Sequence, residues 1–342
     1  MPYQENNMLG SMSNYSTPKV SVIMPVYNTE LYVERAMISL MEQTLDDVQF
    51  IIIDDGSKDN SLSIIKEVIN RYPNRKEQVV LISRENRGVA ATRAQGIELA
   101  TGDYVIHLDS DDWADSYWLQ KMYDAAIIND LDVVICDYNL VFPNKLIKVH
   151  QKVESTGVEC VNLLLKGMLS NMSWDKLVRR YMYKTYNINY ISGLNMGEDF
   201  LVSLKLLNFA KKIGGVSIPL YYYNKTNDNS LTKIYSENSL LELMSIVGLA
   251  EEFITKSGRY NDYGEGLLFF KLSVRNCFIV NSDRRISTKK KGLLLYPESN
   301  SLIEQGRANK MLTIAYYLHK YKILFTYVFF ENVYSLILKV KY

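Results

Sequence analysis

Four times before Trp113 the chain runs a short, β-branched apolar stretch straight into a polar or acidic turn. Val20-Ser21-Val22-Ile23-Met24 stops at Pro25, as a strand terminus should. Phe50-Ile51-Ile52-Ile53 runs into Asp54-Asp55-Gly56-Ser57, and Val79-Val80-Leu81-Ile82 precedes Asn86-Arg87-Gly88. Tyr104-Val105-Ile106-His107-Leu108 ends at Asp109. The second run is apolar throughout, the mark of a strand buried on both faces. Between the runs, residues 29–44 carry Leu31, Val33, Ala36, Leu40 and Met41 near helical spacing. Further helices are expected over residues 60–70 and from the Gly88 turn through Ala100. Repeated β-α units with short connections predict a doubly wound, mostly parallel sheet flanked by helices, with right-handed crossovers.

Beyond Trp113 the rhythm changes. The pattern predicts a helix over 117–129, strands over 132–136 and near 146–150, helical segments around Trp174 and Asp199, and a strand over 215–223. From about residue 236 it reads as helical to the end, with a basic break at Arg284-Arg285 and Lys289-Lys290-Lys291. A chain of 342 residues exceeds one core of ordinary size. Its 47% hydrophobic and 23% charged residues are those of a soluble globular protein. A net charge of +1 argues against a dedicated nucleic-acid binder. The 3 cysteines (Cys136, Cys160, Cys277) are widely spaced and form no C-x-x-C pair, so neither a zinc knuckle nor a disulfide framework is suggested and a reducing cytoplasm fits best. The polar residues 1–18 lack the apolar core of a signal peptide and read as a disordered head. No run approaches the roughly 18–20 apolar residues of a spanning helix.

In an open α/β sheet, ligands bind at the carboxyl ends of the strands. Tyr27-Asn28, Asp54-Asp55-Gly56-Ser57 and Asp109-Ser110-Asp111-Asp112 all fall there. Asp109 and Asp111, two apart, project to one side and repel each other, so they call for a cation. Hard oxygen ligands select Mg²⁺ or Mn²⁺, and a Mg²⁺ held by one or two carboxylates completes its shell with water and phosphate oxygens. Alone, the tetrad would serve equally well as a turn or helix N-cap. Its place at a buried strand end, beside a second Asp pair, favours the cation. Gly56 permits a tight turn and Asp59 or Asn60 can cap the next helix, which leaves the Asp54 carboxylate to accept from a pyrimidine ring N–H. Neither a dinucleotide fingerprint nor a P-loop occurs.

Val22-Ile23-Met24-Pro25-Val26-Tyr27-Asn28, Asp54-Asp55-Gly56-Ser57, Asn86-Arg87-Gly88-Val89-Ala90-Ala91-Thr92-Arg93 and Leu108-Asp109-Ser110-Asp111-Asp112 resemble successive blocks of family 2 glycosyltransferases with the GT-A fold. Trp174-Asp175-Lys176-Leu177, Gly197-Glu198-Asp199 and Tyr221-Tyr222-Tyr223 resemble that family's acceptor half, in the same order. The resemblance implies a GT-A catalytic domain over 19–235, with a nucleotide-binding half (19–112) and an acceptor half (113–235), followed by a helical region over 236–342. It implies a base pocket shaped by Pro25, Tyr27, Asp54 and Arg93, ribose contact by Asp109, a metal (Mn²⁺ or Mg²⁺) on Asp111, and Asp199 as catalytic base of an inverting transfer from a UDP-sugar. Glu198 would complement the helix dipole and Asp112 would cap or support its neighbours. Trp174 and Lys225 are candidates for acceptor or diphosphate contacts, though a core role suits Trp174 as well. Two residues depart from the pattern: Gln95 stands where Asn is usual, and Asn224 where Arg is common. His107, mid-strand, reads as a packed and hydrogen-bonded residue.

The rival readings are a nucleotidyltransferase, which lacks its Gly-rich basic loop here, and a non-catalytic nucleotide-sugar-binding protein. The acceptor would be a glycan or a lipid-linked glycan of the cell envelope. Near the C-terminus, Tyr316, Tyr317, Lys320, Tyr321, Lys322, Phe325, Tyr327, Phe329, Phe330 and Tyr334 form a basic aromatic stretch. Such a helix can pack on its own domain or lie on a membrane surface. The expected place is the cytoplasm, with peripheral contact at the inner face of the membrane.

Overall fold

The computed structural model describes residues 17–227, 237–282 and 285–331. The expected disordered head falls almost wholly outside the described residues, as do the boundary near 235, Arg284 and Tyr334.

Strands β1 (Val20–Val26), β2 (Val48–Asp54), β3 (Val79–Ser83) and β4 (Tyr104–His107) run parallel in the order β3-β2-β1-β4. Helices α1 (Val33–Met41), α2 (Ser61–Arg71) and α3 (Val89–Leu99) connect them. The β1–β2 register runs from Val20↔Val48 to Val26↔Asp54, and β1–β4 ends at Ile23↔His107, so all these strands finish at one edge. Strand alternation divides the core between two faces: Phe50 and Ile52 join Val22 and Met24 on one, Ile51 and Ile53 join Ile23 on the other. At Gly56, φ is +78° and a Cβ would lie 2.9 Å from the Asn86 nitrogen, so the tight turn after β2 requires glycine. Gly96 on α3 sits against Ile23, whose Cγ2 would be 2.3 Å from an added Cβ, and this lets the helix lie close on β1.

The other half of the sheet is mixed. β5 (Trp113–Ala114) leads into α4 (Trp118–Ile128), and β6 (Val133–Phe142) turns back as β7 (Lys145–Val149). Helix α5 (Gly157–Leu165) then precedes β8 (Lys176–Arg179), which inserts antiparallel between β4 and β6. Short α6 (Tyr181–Thr185) and α7 (Glu198–Phe209) lead to β9 (Ile213–Asn224), parallel to β6 and antiparallel to β5. Trp174 is therefore not helical as expected. It lies in the turn entering β8, because Lys176-Leu177-Val178 completes the sheet beside β4. The strand expected over 132–136 runs on to Phe142 because both β7 and β9 pair with its second half.

The C-terminal region is helical: α8 (Glu237–Lys256), α9 (Tyr260–Asn281), α10 (Ile286–Leu294), α11 (Asn300–Glu304) and α12 (Lys310–Lys320). Ile246, Val247, Ala250 and Ile254 of α8, and Tyr263, Leu267 and Phe270 of α9, share a core with Leu201 and Leu204 of α7. Leu272, Leu293, Leu302, Leu312, Leu324 and Val328 form a separate cluster farther along. The basic run 289–291 is not a break, since all three lysines lie within α10. Lys289 is buried and donates to the carbonyls of Ile279 and Ser282 and to Glu331 Oε1 at 3.1 Å. Among the described residues, no helix is long and apolar enough to cross a membrane.

Candidate active site

The carboxyl edge of the parallel strands gathers the chemistry. After β4 the backbone alternates, leaving Asp109 and Asp111 partly open while Ser110 and Asp112 turn inward. Ser110 Oγ accepts from Thr29 Oγ1 at 3.1 Å. Asp112 accepts from Tyr221 O–H at 2.9 Å and from the Asn224 backbone N–H at 2.7 Å, which ties the tetrad to the end of β9. The Tyr221 hydroxyl also accepts from the Asp109 N–H at 3.1 Å. Asn224 Nδ2 donates to the Asp111 carbonyl, and Asn227 Nδ2 donates to Asp111 Oδ2 at 2.8 Å. Asp112 thus supports its neighbours from behind. Asn224, the departure from an expected Arg, clips two segments together. Lys225 lies over the Tyr223 ring, 4.3 Å from its centre, close enough to favour the ionised form of Asp111.

The centre of the site is Arg93, buried on α3. Its Nη2 donates to Asp109 at 2.8 Å, and its Nη1 to Asp199 at 2.8 Å and Glu198 at 2.5 Å. The last two begin α7, where acids also complement the helix dipole. Burial alone would push Arg93 down, but Asp199, Asp109 and Glu198 together hold it well above the usual arginine range. Against this one buried cation stand Asp109, Asp111, Asp112, Glu198 and Asp199. Burial raises Asp109 and Asp111, and burial together with Asp111 and Asp109 pushes Asp112 well up. Glu198 is raised to about 8 by burial and by Asp199. So large an acid excess suits an added cation. Among the described residues no three His, Cys, Asp or Glu side chains converge as a cage, so a metal here would rest on few protein ligands and take the rest from its ligand and water.

The sequence matches the description "Glycosyl transferase family 2" over residues 21–189. EpsH of Bacillus subtilis, described as a glycosyltransferase, is 30% identical over 258 residues, 73% of this chain and 73% of that protein. The chain belongs to glycosyltransferase family 2. A cholesterol galactosyltransferase of Borreliella burgdorferi is 28% identical over 259 residues, covering 71% of this chain and 70% of its own. In fold, the chain is similar to S. aureus TarS 1–349 in complex with UDP-GlcNAc, with a TM-score of 0.68 at 19% identity, covering 93% of this chain and 92% of that one. The protein is a glycosyltransferase with a GT-A-like α/β domain and a helical C-terminal region.

Within this family 2 frame the expected residues are not all equally placed. Tyr27 is 49% exposed at the end of β1, with half-buried Pro25 behind it in register with Ile53. Asp54 is only 1% exposed, and its oxygens accept from the Ser57 N–H at 3.1 Å and Ser83 Oγ at 2.8 Å. These two bonds brace the loop after β2 and still leave acceptor sites on both oxygens. Asp55 pairs with Arg84 and accepts from the N–H groups of Arg87 and Gly88. Gln95 accepts from Arg84 Nε at 2.8 Å, so this departure also has a partner. Arg93, expected at the base pocket, bonds Asp109 with one nitrogen and Asp199 with the other. Trp174 is 1% exposed and stacks on Tyr221 at 4.2 Å, so that ring face is already covered. It does border a cavity of about 370 Å³ with Tyr138, Tyr223, Phe200, Asn171 and Phe270. A larger cavity, about 910 Å³, lies at the opposite ends of the strands by Tyr104 and Arg179, away from the carboxylates.

The sequence did not single out Ser173, Tyr190 or Asn227. No spacing marks them, because each reaches the site from a loop. Tyr221 was named only as one of three adjacent tyrosines, and the alternation of β9 turns it inward to Asp112.

Proposed function

We propose that this chain is an inverting glycosyltransferase that moves a sugar from a UDP-sugar to a hydroxyl of a glycan or lipid-linked acceptor. The observation that carries this is Arg93, which holds Asp109 and Asp199 on one guanidinium and so sets the proposed donor end beside the proposed base. In this reading Tyr27 and Pro25 flank the base, Asp54 braces that pocket, and Asp109 takes the ribose. Asp111 fits Mn²⁺ or Mg²⁺, which when bound would offset charge on the diphosphate. Lys225 lies near enough to share that task. Asp199 takes the proton of the acceptor hydroxyl as it attacks the anomeric carbon. The cavity beside Phe200 and Tyr223 has room for an acceptor saccharide. UDP bound to the TarS neighbour and the lipid acceptor named for the Borreliella relative support the donor and acceptor classes. The domain limits proposed are 19–235 for catalysis and 236–342 for the helical region.

The test is UDP release from a panel of UDP-sugars with and without Mn²⁺. Asp111→Ala is expected to lose the metal stimulation and about 10²-fold in rate. Metal-independent turnover, unchanged in Asp111→Ala, would refute the metal assignment.

Peripheral membrane contact belongs to the same reading. Tyr327, Leu324 and Val328 pack inward, while Tyr321, Phe325, Phe329 and Phe330 are exposed beside Lys320 and Lys322. Basic charge with exposed aromatics matches an anionic lipid surface. Full-length protein should float with anionic liposomes, and the joint change Phe325→Ser, Phe329→Ser and Phe330→Ser should remain in the pellet fraction. Equal flotation of both would remove this proposal.

A further inference from the structure

Behind Asp199 runs a chain of buried polar groups drawn from two loops and a strand. Ser173, just before β8, donates from Oγ to Asp199 Oδ1 at 2.7 Å. Its oxygen lies 2.5 Å from the Tyr190 hydroxyl, in the segment leading to α7. That hydroxyl lies 3.4 Å from Nε2 of His107, on β4. All three residues are buried, and His107 Nδ1 has no hydrogen-bond partner.

Donor accounting gives the chain a direction. The Ser173 proton goes to the carboxylate, which only accepts, so the Ser173 oxygen must accept from Tyr190 O–H. The Tyr190 oxygen then accepts from His107, whose proton must be on Nε2. The unpartnered Nδ1 is the bare lone pair of that tautomer. Placing the proton on Nδ1 would leave a buried N–H donor unsatisfied and deprive the Tyr190 oxygen of its donor, the costlier state.

We propose that Ser173, Tyr190 and His107 are positioning residues, an oriented chain from His107 Nε2–H through Tyr190 O–H and Ser173 O–H that locks Asp199 with Oδ2 directed to the acceptor. The proposal rests on the reading of Asp199 as the base. Arg93 bonds the same Oδ1, and no described residue bonds Oδ2. Two donors at different angles fix the rotation of the carboxylate, which one guanidinium shared among three acids would not. An error of about 1 Å in such a group can cost roughly 10²-fold in rate. No proton moves along the chain. The acceptor proton goes to Oδ2, the acceptor oxygen bonds the anomeric carbon, and the nucleoside diphosphate leaves with the electron pair of the broken bond.

The protonation states agree. Burial, reinforced by Arg93, pushes His107 well below the usual histidine range, and burial with Asp199 pushes Tyr190 well above the phenol range. The other ionisable groups facing Asp199 are Arg93, Glu198, Asp109 and Tyr183.

Two measurements test this. Nitrogen-15 spectra of the imidazoles should show His107 as the Nε2–H tautomer near neutral pH, with Tyr190→Phe shifting it toward a mixture. A wild-type Nδ1–H tautomer would overturn the chain whatever the activity. Kinetics would use UDP-GlcNAc, UDP-glucose or UDP-galactose, whichever the wild type turns over fastest. Ser173→Ala and Tyr190→Phe should each lower kcat about ten- to a hundredfold with little change in KM for the donor. Ser173→Thr should restore most of the rate. The double variant should be no worse than Ser173→Ala, because Tyr190 acts only through Ser173. Additive losses, or an unchanged kcat, refute the proposal. Asp199→Asn separates the two readings: if it is active the base assignment fails, and if it is inactive while Ser173→Ala is unimpaired only the chain fails.

Discussion

Asp199→Asn should lower kcat for UDP release by about 10³–10⁴-fold, the upper range for loss of a general base. The substitution keeps shape, and an amide oxygen at the Oδ1 position can still accept from Arg93 and Ser173. What it loses is the capacity to take a proton. Affinity for UDP with Mn²⁺, measured by calorimetry, should therefore stay within about threefold of wild type, since the donor contacts proposed on Tyr27, Asp109 and Asp111 are untouched. A second consequence follows from charge. Asp199 helps raise Glu198, so Glu198 in the variant should titrate below its wild-type value of about 8. Retention of more than about a tenth of kcat, against this expected loss, would remove Asp199 from the role of base.

The strand ends were legible in the sequence because they obey local rules. A buried strand that stops at a carboxylate needs no tertiary information, and β2 and β4 do so at Asp54 and two residues beyond His107. The alternation of Asp109 and Asp111 against Ser110 and Asp112 is likewise a property of an extended backbone. Arg93 was visible as a residue but not as a hub. Its position on α3 follows from the helix expected after the Gly88 turn, yet its partners on α7 meet it only after β8 has inserted antiparallel and the chain has returned. The same insertion moved Trp174 from an expected helix into the turn before a strand. Lys289 shows the opposite error. A run of three lysines reads as a solvated break, but three oxygen acceptors from two other segments let one of them go inside α10. Such pairings are decided by geometry across the chain, and no window of sequence contains them.

Arg93→Met should be the most damaging change to stability in the site. Methionine fills much of the same volume but leaves Asp109, Glu198 and Asp199 without their shared cation. Breaking a buried pair in this way costs about 3–5 kcal/mol. The cost should depend on pH, with a definite sign. Glu198 titrates at about 8 in the folded protein against a normal value of 4.5, so the folded state holds its proton over that interval while the unfolded state has released it. Stability from this group is complete below about pH 4.5 and falls as pH rises toward 8. Arg93 opposes that fall, because it favours the ionised acid. Without it Glu198 should titrate higher still, so the loss continues to higher pH than in the wild type. Urea midpoints should therefore differ least near pH 5 and most near pH 8–9. A difference between variant and wild type that stays constant across this range would mean that Arg93 stabilises the fold by packing alone. In that case its carboxylates would not be the acid excess that a bound cation is proposed to offset.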